Sequence, residues 1–399
     1  MRRSPPVSTV RRQKQKRKVA LVCAGGGVTG AVYEIGCLRA IEDLLDRSVL
    51  DFDTYVGVSG GAFVASLLAS GISPAEIYSE VTAPSRHPLG ISDAPLFRLG
   101  LGDVLERFRR APRVVSEALA SLASGESRGL SDAALSLLEL LPAGLLDNSG
   151  VQEWLARLWA ERGLGDRFDR LRRELFVVAV DLDSGEAVAF GEKQHRDVSV
   201  SQAVQASTAL PGLYRPVRLL GRDFVDGGVK KTAHINLAIA HGADLVICIN
   251  PLVPILNTEG GPIGGPLGDK GITYVLDQVL RIMLHGRMQY GMERYAAEHP
   301  EVDILLIEPS RSDMQMFDYH IMRYGARRIV AEHGYRSAIQ TFRENRASYA
   351  RVLRKHGIAL RDPDELPELP EATPFRSAFA RSLGSSLSYL EGRLKSGGA

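Results

Sequence analysis

The chain is short of cysteine, and the three it has, Cys23, Cys37 and Cys248, are scattered without metal-ligand spacing. Each lies in an apolar run, so neither a disulfide framework nor a cysteine metal site is expected, and buried reduced thiols are. Long apolar stretches are missing too. Nothing approaches the unbroken length that spans a bilayer, and the N-terminus lacks the apolar core of a signal peptide. The expected location is therefore cytoplasmic.

An excess of one charge is also absent, since 49 basic side chains face 47 acidic ones for a net charge of +2. The balance is uneven along the chain. Residues 1–18 hold eight of the basic groups and no acid, which leaves the remainder with 41 basic against 47 acidic residues. A basic tail, 1–17, on a mildly acidic body argues against nucleic acid as the partner. The tail itself reads as disordered and solvated, with anionic lipid or nucleic acid as its alternative contacts. At 45% hydrophobic and 24% charged, 399 residues suit one large or two ordinary globular domains.

What the chain does contain is a sharp turn around a serine. An apolar run from Phe52 enters Gly57-Val58-Ser59-Gly60-Gly61, and a stretch of small residues, Ala62 to Ala69, leaves it as a helix. Strand, turn and helix in that order make a nucleophile elbow, in which flanking glycines leave room for a serine held at a strained apex. Ser59 would then point outward at a helix N-terminus, where partial positive charge favours a developing anion. Taken alone, a chance glycine-serine loop would look the same.

Upstream, Val19-Ala20-Leu21-Val22-Cys23 reads as a buried parallel strand ending in Ala24-Gly25-Gly26-Gly27-Val28-Thr29-Gly30. Consecutive glycines before a helix present backbone N–H groups to a concave site, which suits a phosphate or an oxyanion equally. The same glycines satisfy a dinucleotide fingerprint, but that reading needs an acid closing the second strand, and Gly57-Val58-Ser59 stands there instead. Further buried strands follow at Leu175–Val180, with Glu186–Phe190 pairing to it, at Leu245–Asn250 and at Val302–Ile307. Arg222–Val225 carries another into the turn Asp226-Gly227-Gly228. Strands alternating with helices indicate an α/β fold with a largely parallel sheet, in which Gly25–Gly27, Ser59 and Asp226 would share the carboxyl edge.

Residues 84–150 are punctuated by prolines, yet Ala133, Ala134, Leu137, Leu138 and Leu141 form a helical stripe. They read either as a cap over the site or as a helical insertion packed on the core. Ser149-x-x-Gln152 resembles a capping box ahead of a helix with Val151, Trp154, Leu155, Leu158 and Trp159 on one face. Beyond Ser310 the chain is helical and arginine-rich, and Phe375, Phe379, Leu383, Leu387, Leu390 and Leu394 repeat at helical spacing near the C-terminus. That stripe either docks on its own domain or lies on a membrane.

Gly25-Gly26-Gly27-x-x-Gly30, Gly57-x-Ser59-x-Gly61 and Asp226-Gly227-Gly228 together resemble the patatin-like phospholipase family in content, order and context. The blocks Ala206–Gly212 and Gly242-Ala243-Asp244 support it, and the resemblance covers roughly residues 18–310. It implies a three-layer fold with a helical insertion at 84–150 and a helical C-terminal extension at 311–399. It further implies Ser59 as nucleophile, Asp226 as its catalytic partner and the N–H groups of Gly25, Gly26 and Gly27 as oxyanion hole, with no metal or cofactor. The implied substrate is a lipid or other acyl ester, with peripheral contact to anionic membrane through the tail and the C-terminal stripe. The chain departs from the family at Thr29, where Arg or Lys is common. A Ser-His-Asp hydrolase, drawing on His285, His299, His320, His333 or His356, and a non-catalytic lipid- or nucleotide-binding module are the rival readings.

Overall fold

The computed structural model describes residues 17–82, 98–99, 143–257, 265–311 and 326–366. In chain order the elements are β1 (Val19–Cys23), α1 (Gly27–Leu44), β2 (Thr54–Val58), α2 (Gly60–Ala69), α3 (Pro74–Thr82), β3 (Arg98–Leu99), β4 (Gly144–Asp147) and α4 (Ser149–Glu161). They continue through β5 (Glu174–Asp181), β6 (Ala187–Phe190), α5 (Val200–Ser207), β7 (Gly212–Tyr214), β8 (Val217–Leu219), β9 (Arg222–Asp226) and α6 (Ile235–Ala240). β10 (Leu245–Ile249), α7 (Ile272–Glu298), β11 (Asp303–Ile307), α8 (Arg327–Glu344) and α9 (Arg346–Lys355) complete them.

β11, β10, β1, β2 and β5 lie side by side and run parallel, so the expected largely parallel sheet is present. Its strands are apolar on both faces because both faces are covered. Along β1, Val19, Leu21 and Cys23 join one apolar cluster, which holds α1, α2, α4, α5 and α8. Ala20 and Val22 join the other, with Ala238 of α6 and Met288 and Tyr295 of α7. The result is helix, sheet and helix in three layers.

Helix α8 lies against α1 so closely that a Cβ on Gly36 would fall 2.0 Å from the Ala331 carbonyl oxygen. Only glycine permits that approach. Tyr33 and Ser337 add a hydroxyl pair 2.8 Å apart across the same contact. Helix α8 is thus packed into the core beside the first helix.

Local expectations were met unevenly. The α4 face is buried as its spacing predicts, through Val151, Trp154, Leu155, Leu158 and Trp159. Its capping box is not formed, because Ser149 is already inside the helix, Asn148 stands at the cap position, and the Ser149 N–H is taken by Asp147 Oδ1 at 2.6 Å. A capping box does open α5, where Ser199 and Gln202 exchange side-chain and backbone bonds. The leucine stripe of 133–141, the stripe of 375–394 and the tail of 1–16 lie outside the described residues.

Candidate active site

The site is made by two strand ends that meet. Both β2 and β9 pair with β5, and both on the edge opposite β6. β2 runs parallel to β5 and ends at Val58, the partner of Val178. β9 runs antiparallel and ends at Asp226, the partner of Ala179. Consecutive residues of one strand therefore hold the two ends head to head. Asp226 thus lies level with Ser59, and it reaches that level from the opposite direction because β9 is antiparallel to β5.

Ser59 adopts φ 54° and ψ −128°. A serine in this left-handed region is strained by about 1–3 kcal/mol, and the surroundings must over-determine it. They do so by contact: a Cβ on Gly61 would lie 2.4 Å from the Cys23 carbonyl oxygen, and one on Gly57 would lie 2.4 Å from Ala62 Cα. The Ser59 N–H donates to Ser207 Oγ at 2.9 Å, and that hydroxyl donates onward to the Val178 carbonyl at 2.6 Å. Ser207 belongs to the block before Asp226, and its side chain ties the elbow to β5. Nothing in the linear pattern marks that role, because the bond spans 148 residues.

The glycine loop lies against the elbow, with the Cβ position of Gly25 at 3.4 Å from Ser59 Cβ. Of its three expected donors, one is already engaged. The Gly25 N–H donates to the Thr232 carbonyl at 2.9 Å, so Gly25 anchors the loop and does not serve as an oxyanion donor. The N–H groups of Gly26 and Gly27 have no protein acceptor among the described residues. They open α1, whose 18 residues add the partial positive charge of an N-terminus. Pro251, which follows β10, packs so near Gly26 and Gly30 that Cβ atoms there would lie 2.5 and 2.9 Å from its Cγ. Thr29 is buried in the same helix.

Asp226 is 3% exposed. Burial raises its pKa to about 6, opposed by hydrogen bonds from the Ser59 hydroxyl and the Gly228 N–H. The Gly228 N–H donates to Oδ1 at 2.8 Å, and a Cβ on Gly228 would crowd that same oxygen at 3.1 Å, which favours the second glycine. The first approaches β5, where a Cβ on Gly227 would fall 2.3 Å from the Val178 carbonyl oxygen. The backbone of Asp226 is held by the Ala209 carbonyl at 3.0 Å. The carboxylate is thus ionised at neutral pH, desolvated and set in the same cavity as the serine hydroxyl that lowers its pKa, an environment in which a carboxylate becomes a useful base.

Ser59, Asp226, Gly25, Gly26 and Gly27 line one cavity of about 370 Å³. Leu210, Leu252, Leu280, Met283 and Leu284 supply its apolar wall, and Arg287 its cation. No histidine is among its lining residues in the described part of the chain. His234 lies nearby in sequence, and burial lowers its pKa to about 4, so the ring is neutral. The Gly227 backbone only partly opposes that shift. His285 faces Glu308 at 3.8 Å, His299 faces Glu301 at 3.4 Å and His356 faces Asp303 at 2.6 Å. His320 lies outside the described residues. Among the described residues no three His, Cys, Asp or Glu side chains are grouped to hold a metal ion.

The family model of patatin-like phospholipases matches residues 21–239, more than half of the chain. The chain belongs to that family. An uncharacterized NTE family protein of Mycobacterium bovis is 26% identical over 237 residues, which are 59% of this chain and 30% of that protein. A probable lipid hydrolase of Invertebrate iridescent virus 6 is 20% identical over 234 residues, 57% of this chain and 66% of the viral protein. The chain thus spans about a third of the length of the mycobacterial relative. Among solved structures, VipD of Legionella pneumophila aligns with 82% of this chain and 67% of its own, at 15% identity and a TM-score of 0.33. No described helix is long and apolar enough to cross a membrane.

Proposed function

We propose that the protein is a lipid acyl hydrolase that cleaves carboxylic esters through a Ser59 acyl-enzyme, with Asp226 as general base. The observation that carries this reading is the placement of a strained serine and a desolvated carboxylate together on the wall of one apolar cavity, beside two free backbone N–H groups. Asp226 takes the hydroxyl proton as Ser59 Oγ attacks the ester carbonyl. Negative charge then gathers on the carbonyl oxygen, where the Gly26 and Gly27 N–H groups stabilise it. Preorganised donors of this kind are worth about 3–4 kcal/mol each. Collapse of the tetrahedral intermediate expels the alcohol, which leaves with the proton held by Asp226. Water enters, gives its proton to the same carboxylate and releases the acid, returning the hydroxyl proton to Ser59.

No imidazole takes part. His234 is buried, neutral and not among the residues that line the cavity, which supports a structural role. A catalytic unit of 18–310 and a lipid substrate are part of the same proposal, as is action in the cytoplasm with peripheral contact to anionic membrane. The test is covalent labelling by a fluorophosphonate together with hydrolysis of a short soluble ester. Label on Ser59, abolished in Ser59→Ala, is the expected result. Because the two residues act in one concerted step, the Ser59→Ala/Asp226→Asn double variant should be little worse than either alone. An unlabelled Ser59 in folded protein, or a single histidine variant as damaged as Ser59→Ala, would remove the reading.

A further inference from the structure

Arg287 lines the cavity that holds Ser59 and Asp226, and the hydrolytic mechanism makes no use of it. Its Nη1 donates to the Val229 carbonyl at 2.6 Å, and Val229 ends the short turn that begins directly after Asp226. The guanidinium is thereby fixed relative to the base, through three residues of backbone. Among the described residues no carboxylate lies within ion-pair distance of Arg287, whereas its neighbour Lys230 pairs with Glu186 at 2.9 Å. Most of the guanidinium fork is therefore available to a ligand.

The wall between the two charges is apolar. Leu280, Met283 and Leu284 precede Arg287 on α7, so the same helix that bounds the apolar space places a cation one turn further on. Met283 is half exposed and Arg287 is exposed, which puts both at the rim, while Ser59 and Asp226 lie deep. A molecule with an ester carbonyl at Ser59 and apolar chains against the leucines would bring a neighbouring charged group to this rim. A planar fork held by one bond recognises phosphate oxygens at little further loss of side-chain freedom.

We propose that Arg287 is a specificity-determining residue, taking an anionic phosphate on an acyl-ester substrate at the cavity rim and favouring phosphate-bearing lipids over neutral acylglycerols. This rests on the hydrolase reading above. In effect the cavity's positive charge comes from Arg287 of α7, while Thr29 beside the glycine loop is buried and uncharged.

The test uses the full chain and two lipids of identical acyl chains, dioleoyl phosphatidylglycerol and dioleoylglycerol, each at the same low mole fraction in nonionic micelles. The quantity read is the ratio of kcat/KM for the first over the second. Arg287→Gln should lower that ratio about tenfold, the lower end for charge-assisted bonds because the guanidinium is exposed. Arg287→Lys, which keeps the charge and loses the fork, should recover part of it. An unchanged ratio overturns the proposal, whatever happens to absolute rates, so a variant that only loosens α7 cannot imitate success. Inhibition of soluble-ester hydrolysis by millimolar inorganic phosphate, relieved in Arg287→Gln, would assign the site to free phosphate and overturn the lipid form. Wild-type protein that turns over no ester at all removes the hydrolase reading itself, a result distinct from an unchanged ratio.

Discussion

Replacing Asp226 by asparagine should abolish catalysis and stabilise the protein, and the size of the second effect follows from the first. The ordinary aspartate pKa of 3.8 becomes about 6 in the folded chain, chiefly by burial. Between those values the folded state binds the proton more tightly than the unfolded state, so stability falls as pH rises through that window. Above pH 6 the full penalty of holding the charge is present. A rise of this size costs about 3 kcal/mol, since each tenfold change in proton affinity is worth about 1.36 kcal/mol. Asparagine carries no charge, can accept the Gly228 N–H through its oxygen and can donate to Ser59 Oγ through its nitrogen. The variant should therefore be more stable than wild type by up to about 3 kcal/mol at pH 7–8, or about 3–5 °C in Tm for a chain of this length. The gap should shrink as pH falls below 6 and close near pH 4. Thermal unfolding of both proteins between pH 4 and 8, with hydrolysis measured alongside, provides the check. A Tm gap that is negative, or that does not change with pH, would show that Asp226 is not a desolvated charge, and its assignment as base would fall with it.

The same carboxylate should set the acid limb of activity, with kcat/KM halved near pH 6 and falling about tenfold per pH unit below it, as the base is protonated; a flat profile from pH 7 to 5 would assign the base elsewhere. Ser207→Ala should destabilise the chain by about 1–3 kcal/mol, because it strands the buried Ser59 N–H and the Val178 carbonyl, and should also slow turnover through the loosened elbow; differential scanning fluorimetry and soluble-ester kinetics read the two effects. Gly61→Ala places a methyl 2.4 Å from a backbone oxygen, so a loss of soluble folded protein, or of at least about 1–3 kcal/mol, is expected in expression and melting experiments. Cys23, Cys37 and Cys248 are buried free thiols and should stay unreactive to a thiol reagent until denaturant unfolds the chain; labelling at the rate of an exposed thiol under native conditions would contradict their burial.

The sequence by itself determined the parts that short-range chemistry controls. An apolar run, two glycines about a serine, and small residues after them read as strand, turn and helix because each element is decided by neighbours within a few positions. The buried face of α4 follows from 3.6-residue spacing, and the β5–β6 hairpin from its Asp183-Ser184-Gly185 turn. The capping box at Ser149 failed for the same reason that others succeed: Asp147, two residues away, took the Ser149 N–H that the Gln152 side chain was expected to bond. Tertiary structure decided everything that depends on which strands meet. Periodicity does not reveal that β9 runs antiparallel along the edge of β5 already used by β2, yet that pairing places Asp226 against Ser59. Nor does a run of glycines reveal which N–H remains free, since the Gly25 donor is claimed by Thr232 from more than 200 residues away. Ser207, Pro251 and Arg287 entered the site the same way, as ordinary residues whose roles arise from packing between distant segments, where sequence spacing carries no signal.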